Sequence, residues 1–160
     1  MKRTPLTVAS VLLATLVVAA AAAAEGPTRA EYAAQVEPIC EANTIVSKRI
    51  LKHARPRVNH GKLKAAGNQF IRASEAFGKT VREIAAVPRP PADDARLVKW
   101  FGFLEIIKTN LRKVGKALKE GDRIKATHEV IRVERSGNAA NNVSFVFGFR
   151  YCRITPSRFT

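Results

Sequence analysis

The sequence predicts an all-α protein, an antiparallel up-down-up-down four-helix bundle followed by an extended C-terminal tail. Two observations favour this fold class. Four segments of the chain repeat apolar residues every three or four positions, the spacing that places side chains on one side of a helix. Short connections marked by Pro and Gly separate these segments, and short connections join antiparallel neighbours in helical bundles.

The first predicted helix begins near Thr28 and ends before Pro56. Thr28 and Glu31 have the spacing of a capping box, in which each side chain accepts a hydrogen bond from the backbone of the other residue. Pro56 interrupts the helical pattern, so residues 55–61 are predicted to form a loop. The expected inner face of this helix contains Tyr32, Val36, Ile39, Asn43, Val46 and Ile50.

Two regular apolar stripes predict the second and third helices. The second helix spans about residues 62–87, where Pro88 stops it, and the third follows Asp93 and Asp94, which suit the positive end of a helix dipole. The second stripe contains Leu63, Ala66, Phe70, Ala73, Phe77, Val81 and Ile84. The third stripe contains Leu97, Trp100, Phe101, Leu104, Ile107, Leu111, Val114 and Leu118.

A fourth helix is predicted to begin at Asp122, which can serve as its N-cap. Its expected inner face is less apolar and contains Ile124, Thr127, Ile131, Asn138, Asn142 and Phe145. From Phe145 onward aromatic residues recur at every second position, which is typical of a strand. Because no second strand is available for pairing, we interpret Gly148 as a helix C-cap and residues 149–160 as an extended tail whose aromatic rings pack on the bundle.

The first 24 residues have the three parts of a secretory signal peptide. They comprise a basic start at Lys2 and Arg3, an apolar run, and an alanine-rich end that suits cleavage after Ala24. Cleavage there leaves residues 25–160 as a single helical bundle domain that is secreted or otherwise extracytoplasmic. An uncleaved membrane anchor is the alternative, since about 20 apolar residues suffice to span a bilayer.

The two cysteines, Cys40 and Cys152, are expected to form a disulfide because the predicted compartment is oxidising. Such a bridge ties the tail to the first helix. Two free thiols that act as nucleophile and resolving partner are the alternative. Glu41 beside Cys40 disfavours a reactive thiolate, and the chain has no Cys-x-x-Cys motif.

Positive charge is concentrated in two segments of the chain, which carries a formal charge of +15, or about +13 without the signal segment. Residues 48–64 and 108–125 hold fourteen basic and two acidic residues, and an antiparallel bundle brings these segments to the same end. We call this end the basic pole. Its predicted anion-binding residues are Lys48, Arg49, Lys52, Arg55, Arg57, Lys62, Lys64, Lys113, Lys116, Lys119, Arg123 and Lys125.

A basic pole outside the cytoplasm favours an anionic envelope component as the partner, either an anionic lipid or an acidic cell-wall polymer. Specific recognition of nucleic acid is not expected. The pole lacks the interleaved aromatic residues that stack on single-stranded bases, and the chain has no helix-turn-helix or zinc-finger pattern. The leading hypothesis is therefore a non-enzymatic bundle that binds such a component electrostatically.

No catalytic residue, metal site or cofactor is predicted. His53, His60 and His128 lack the i, i+3 or i, i+4 spacing that places two imidazoles on one ion. The chain also lacks the Glu-x-x-His pairs of di-iron bundles, a haem-attachment motif, a nucleophile elbow and a phosphate-binding loop. An enzyme of unrecognised type would need a cleft with shifted titratable groups.

Glycines inside the predicted helices admit two interpretations. Their cost to helix stability is offset either by close helix packing or by a small apolar pocket. A pocket lined by Phe70, Trp100 and Phe101 would make the protein an extracytoplasmic carrier of a small apolar ligand, which is the alternative function. The glycines concerned are Gly67, Gly78, Gly102 and Gly115.

A group of asparagines near the C-terminus also admits two interpretations. These side chains, together with Arg135, form a buried polar network against the first helix near Asn43, or they face solvent. The residues of the group are Asn138, Asn141 and Asn142. The sequence leaves both interpretations open.

Two short stretches around the cysteines carry a resemblance to known proteins. After the pair Glu31-Tyr32, residues 38–43 read Pro-Ile-Cys-Glu-Ala-Asn, and residues 147–152 read Phe-Gly-Phe-Arg-Tyr-Cys. In this layout the chain resembles a largely uncharacterised group of small secreted helical two-cysteine proteins common in actinobacteria. The resemblance implies secretion, a helical fold and a bridge between Cys40 and Cys152, and it implies no catalytic residues.

Overall fold

The computed structural model describes residues 26–155, so the predicted signal segment and the last five residues lie outside it. Four long helices and one short helix follow one another, with no strand among the described residues, which confirms the predicted helical bundle. The helices are α1 (Arg29–Leu51), α2 (Ala54–Asn59), α3 (Leu63–Ala85), α4 (Asp94–Glu120) and α5 (Arg123–Ser144).

Helix α1 begins at the predicted capping box but buries a different face from the one expected. The Thr28 side chain accepts a hydrogen bond from the Glu31 amide, and the Glu31 carboxylate accepts one from the Thr28 amide. The buried residues of α1 are Tyr32, Val36, Cys40 and Thr44. Val46 remains 41% exposed, so the predicted face is wrong in its second half. The disulfide-bonded Cys40 lies on the buried face.

The predicted loop between the first two long helices contains a short helix. Helix α2 includes Pro56 as its third residue, and a proline in the first turn costs little because its missing N–H has no intrahelical acceptor there. A left-handed Gly61 (φ 73°) then reverses the chain into α3. Residues 55–61 are therefore a helical corner and not an irregular loop.

Helices α3 and α4 form the core as predicted, and two glycines bring them together. Their apolar stripes are buried apart from Leu63 and Phe101, which are half-buried. A Cβ added at Gly67 would lie 2.5 Å from the Gly115 carbonyl oxygen, and one added at Gly115 would lie 2.7 Å from that of Gly67. Close packing therefore explains these two glycines, whereas Gly102 faces open space.

Helix α5 buries a face that the sequence pattern did not predict. The expected inner residues Ile124 and Phe145 are 74% and 83% exposed, and Ile131 is 38% exposed. The buried residues are Ala126, Glu129, Val133, Gly137, Ala140 and Ser144. They repeat every three or four positions but are mostly small, so α5 approaches α4 closely. The bulkier apolar residues on the other side of α5 remain exposed to solvent.

The C-terminal tail packs on the bundle as predicted. After α5 a 3-10 turn, Phe145–Phe147, ends at Gly148, whose left-handed φ of 64° fits the predicted C-cap. Phe147 and Phe149 are buried and stack with ring centroids 5.1 Å apart, and Phe149 lies 5.3 Å from the Trp100 ring. The predicted disulfide between Cys40 and Cys152 is present and fixes the tail to α1.

The bundle is open along one side. Helix α3 packs along both α1 and α4, and α4 packs along α5, whereas α1 and α5 have few or no close backbone contacts in the described chain. The tail lies in this opening, because Glu37 on α1 and Asn141 on α5 both bind its backbone. None of the helices within residues 26–155 has the length and apolarity needed to cross a membrane.

Candidate functional site

The two basic segments meet at one end of the bundle, as the antiparallel topology predicts. The turn from α2 to α3 and the turn from α4 to α5 line the same open depression, which runs from Gly61 to Gly121. The Arg123 guanidinium donates a hydrogen bond of 3.0 Å to the Val58 carbonyl oxygen, so the start of α5 contacts α2 directly. The basic pole thus includes residues of all five helices.

Most bases of the pole have no acidic partner. Lys125 pairs with Glu120 at 3.3 Å, and Arg123 is held by its backbone contact. The remaining ten predicted residues form no ion pair within the described part of the chain, and all but the half-buried Arg57 are exposed. They are Lys48, Arg49, Lys52, Arg55, Arg57, Lys62, Lys64, Lys113, Lys116 and Lys119. Their charge is therefore not neutralised within the described chain.

The structure divides these bases among different concave surfaces. Lys62, Lys64 and Lys119 line the open depression between α3 and α4. Arg55 and Arg123 line a cavity between α2 and α5, whereas Lys48 and Lys52 line a separate cavity beside α1. The predicted bases therefore lie on three different concave surfaces of one pole. Two of these surfaces, the cavity between α2 and α5 and the cavity beside α1, have mainly apolar linings.

The cavity beside α1, which we call the α1 cavity, has a volume of about 260 Å³ and lies between α1, α3, α4 and the tail. Polar atoms from Asn43 and Ser47 line its α1 side, and three bases reach it: Lys48, Lys52 and Arg153. Its apolar walls are formed mainly by Leu51, Phe77, Val81, Ile84, Trp100, Leu104 and Leu111. No acidic residue of the described chain lines it.

Trp100 is the largest buried side chain of the α1 cavity wall. The residue is 1% exposed, and its indole Nε1 has no hydrogen-bond partner among the described residues. It is also the only tryptophan in the chain, which makes its fluorescence a specific report on this cavity.

The second cavity has a volume of about 390 Å³ and shares Leu51 with the first. Phe70 lines the second cavity, Trp100 lines the first, and Phe101 lines neither. The Arg89 guanidinium lies over the Phe101 ring, 4.8 Å from its centre. The single pocket predicted around these three aromatic residues is therefore wrong. The structure has two cavities instead, one between α1, α3, α4 and the tail and one lined mainly by α2, α3, α4 and α5.

Two side chains that the sequence analysis did not single out hold the tail in place. The Glu37 carboxylate accepts hydrogen bonds of 3.0 to 3.2 Å from the amides of Arg150, Tyr151 and Cys152. Asn141 accepts from the Ile154 amide and donates to the Ile154 carbonyl oxygen, both at 2.8 Å. Only the position of Glu37 one helical turn before Cys40 could have indicated its role.

The asparagine group does not form the buried network that one interpretation required. Asn138 and Asn142 are exposed, Asn141 binds the tail, and Asn43 accepts a hydrogen bond from Ser47 within α1. The three histidines are exposed as well. Among residues 26–155, no group of three or more His, Cys, Asp or Glu side chains is placed to hold a metal ion.

The opposite end of the bundle uses its charges in contacts within the protein. The Arg29 guanidinium donates two hydrogen bonds, of 2.8 and 2.9 Å, to the carboxylate of the buried Asp93, and it also lies over the Phe147 ring. The hydrogen bonds from Arg29 lower the pKa of Asp93. Burial raises the pKa of Tyr32 to about 12. We call the end of the bundle around Arg29, Asp93 and Phe147 the clasp end.

Comparison with known proteins identifies no family, since no family model, curated protein or solved structure matches the chain. The resemblance to secreted actinobacterial proteins therefore stays a prediction. The charges and cavities of the chain itself carry the functional proposal.

Proposed function

We propose that this protein is a non-enzymatic helical bundle that binds an anionic envelope component outside the cytoplasm through its basic pole. One observation carries the proposal: ten basic side chains at one end of the molecule have no acidic partner within the described chain. A group of unpaired bases attracts anions and raises their local concentration. The disulfide and the N-terminal apolar segment are consistent with an extracytoplasmic location.

The proposed partner is an extended polyanion and not a single small anion. The unpaired bases lie on α1, α2, α3 and α4, so they cover the whole end of the bundle and do not converge on one point. An anionic lipid surface or an acidic wall polymer presents many charges over such an area. Each Lys or Arg near an anionic membrane contributes about 1 kcal/mol, and salt screens this contribution.

The experiment measures binding of the purified protein to anionic vesicles, an acidic polysaccharide and duplex DNA over a salt series. The pole variant carries Lys62→Gln, Lys64→Gln and Lys116→Gln, which remove three exposed charges without touching either cavity. Three lost contacts correspond to about 3 kcal/mol, or roughly a hundredfold weaker binding at low salt.

A matched control variant carries Arg82→Gln, Lys99→Gln and Arg135→Gln, which remove the same net charge from exposed positions outside the pole. We expect the control to retain most of the affinity. Equal loss in both variants would mean that net charge alone drives binding. Absence of salt-sensitive binding to any of the three polyanions would refute the proposal and leave the charges as a solubility feature.

A further inference from the structure

We propose that the α1 cavity binds a single-chain amphiphile, with its alkyl chain between α1, α3 and α4 and its anionic head against Lys48 and Lys52. Lys48 and Lys52 also belong to the basic pole, but the other eight unpaired bases lie outside the α1 cavity. This site can therefore be present whether or not the exposed surface proposed above binds polyanions. The ligand class is defined by its chemistry: one alkyl chain that ends in a carboxylate or phosphate.

The cavity is built into the architecture of the bundle. The tail is attached to α1 through the disulfide and the Glu37 carboxylate, and it is attached to α5 through Asn141. It therefore spans the opening between α1 and α5, and residues 151–155 form part of the cavity lining. A lining fixed by three attachments cannot collapse easily, and ligand sites are usually preformed in this way.

The chemistry of the lining is divided between an apolar body and a basic margin. Side chains of α3 and α4 supply the apolar surface, while Lys48, Lys52 and Arg153 supply positive charge with no acid to neutralise it. Long basic side chains cover apolar surface with their stems and keep their charged ends in water. A ligand that is apolar along its length and anionic at one end matches both parts.

The volume of the cavity limits the ligand to one chain. A dry apolar cavity of about 150 Å³ is large enough to bind benzene, so about 260 Å³ accommodates a larger apolar group. If a methylene occupies about as much volume as a water molecule in the liquid, about 30 Å³, the cavity holds roughly eight or nine carbons. Decanoate is therefore a suitable probe, and a two-chain phospholipid is too large.

The experiment titrates the purified protein with decanoate, decanol and acetate, and it follows both Trp100 fluorescence and calorimetric heat. We expect decanoate to bind once per chain and to change the emission of Trp100, whereas acetate has no effect. High salt should weaken decanoate binding only partly, because the alkyl chain supplies most of the affinity. Polyanion binding at the pole should disappear under the same conditions, which separates the two sites.

Two sets of variants test the two halves of the proposed site. The double variant Lys48→Gln/Lys52→Gln should weaken decanoate binding about tenfold and leave decanol binding unchanged. The control Lys62→Gln/Lys64→Gln removes equal charge from the same pole outside the cavity, and it should bind decanoate normally. Equal weakening by both double variants would overturn the assignment of the head group.

The apolar half is tested by filling the cavity from opposite walls. Ala73→Leu adds volume from α3, and Asn43→Leu adds volume from α1. Each should reduce decanoate and decanol binding at least tenfold, and far-ultraviolet circular dichroism identifies which variant folds. Normal decanoate binding by a folded, filled variant would overturn the proposal, as would a stoichiometry other than one ligand per chain.

Discussion

The two ends of this bundle contain similar basic residues in opposite environments. At the clasp end, Arg29 donates two hydrogen bonds to a buried carboxylate and Arg89 lies over an aromatic ring. At the basic pole, ten bases have no acidic partner in the described chain and surround concave surfaces. The comparison teaches that the arginines of the clasp end bind groups within the protein, whereas most bases of the basic pole have no acidic partner in the described chain.

The largest expected effect comes from removing the disulfide between α1 and the tail, which lies between the two ends of the bundle. The double change Cys40→Ala/Cys152→Ala opens a bridge between residues separated by 112 positions, and a loop of that size contributes about 4 to 5 kcal/mol to stability. Urea unfolding should show most of this loss.

Polyanion binding by that double variant, measured where it remains folded, should stay within about twofold of the unmodified protein. The reason is that most of the unpaired pole bases lie on α2, α3 and α4, which pack against one another and are not joined to the tail by the disulfide. A stability loss below about 1 kcal/mol would show that Glu37 and Asn141 alone hold the tail.

A smaller effect is expected where α3 and α4 approach each other near the pole. Gly67→Ala places a methyl group 2.5 Å from the Gly115 carbonyl oxygen, so the two helices must separate, at a cost of about 1 to 3 kcal/mol. Thermal unfolding monitored by circular dichroism measures this cost. The control Gly102→Ala faces open space and should stabilise α4 by up to about 1 kcal/mol. A neutral Gly67→Ala would show that the contact is looser than described.

The smallest of these effects concerns the ion pair at the clasp end and its dependence on pH. Because Arg29 lowers the pKa of Asp93 in the folded state, the pair contributes stability above the unfolded pKa of about 3.9. This contribution is lost as the pH falls through the lower folded pKa. Asp93→Asn should therefore cost about 1 kcal/mol at pH 7, a modest figure because Arg29 is half-exposed, and less at pH 2.

The test is urea unfolding of the Asn variant and the unmodified protein from pH 7 to pH 2. Glu120→Gln at the pole is the control, because its partner Lys125 is exposed and the pair should contribute little at any pH. A stability difference for Asp93→Asn that does not change with pH would contradict the proposed role of the charge.

The success of the sequence-based predictions differs between helices for a physical reason. The stripes of α3 and α4 consist of large apolar residues, and burying them is so favourable that few tertiary arrangements leave them outside. The buried face of α5 consists mostly of small residues. Burying them contributes less free energy, and that contribution depends on how closely α4 approaches. A hydrophobicity pattern therefore selected Ile124 and Phe145, which the structure leaves exposed.

The sequence by itself determined the helical class, the four long helices, the disulfide partners and the position of the basic pole. These follow from local periodicity, from the number of cysteines, and from an antiparallel topology that assigns each turn to one end. Only the tertiary structure decided which face of α5 is buried, that α1 and α5 stand apart, and that the tail lies between them. These features depend on contacts between residues far apart in the chain, whose distances no local pattern encodes.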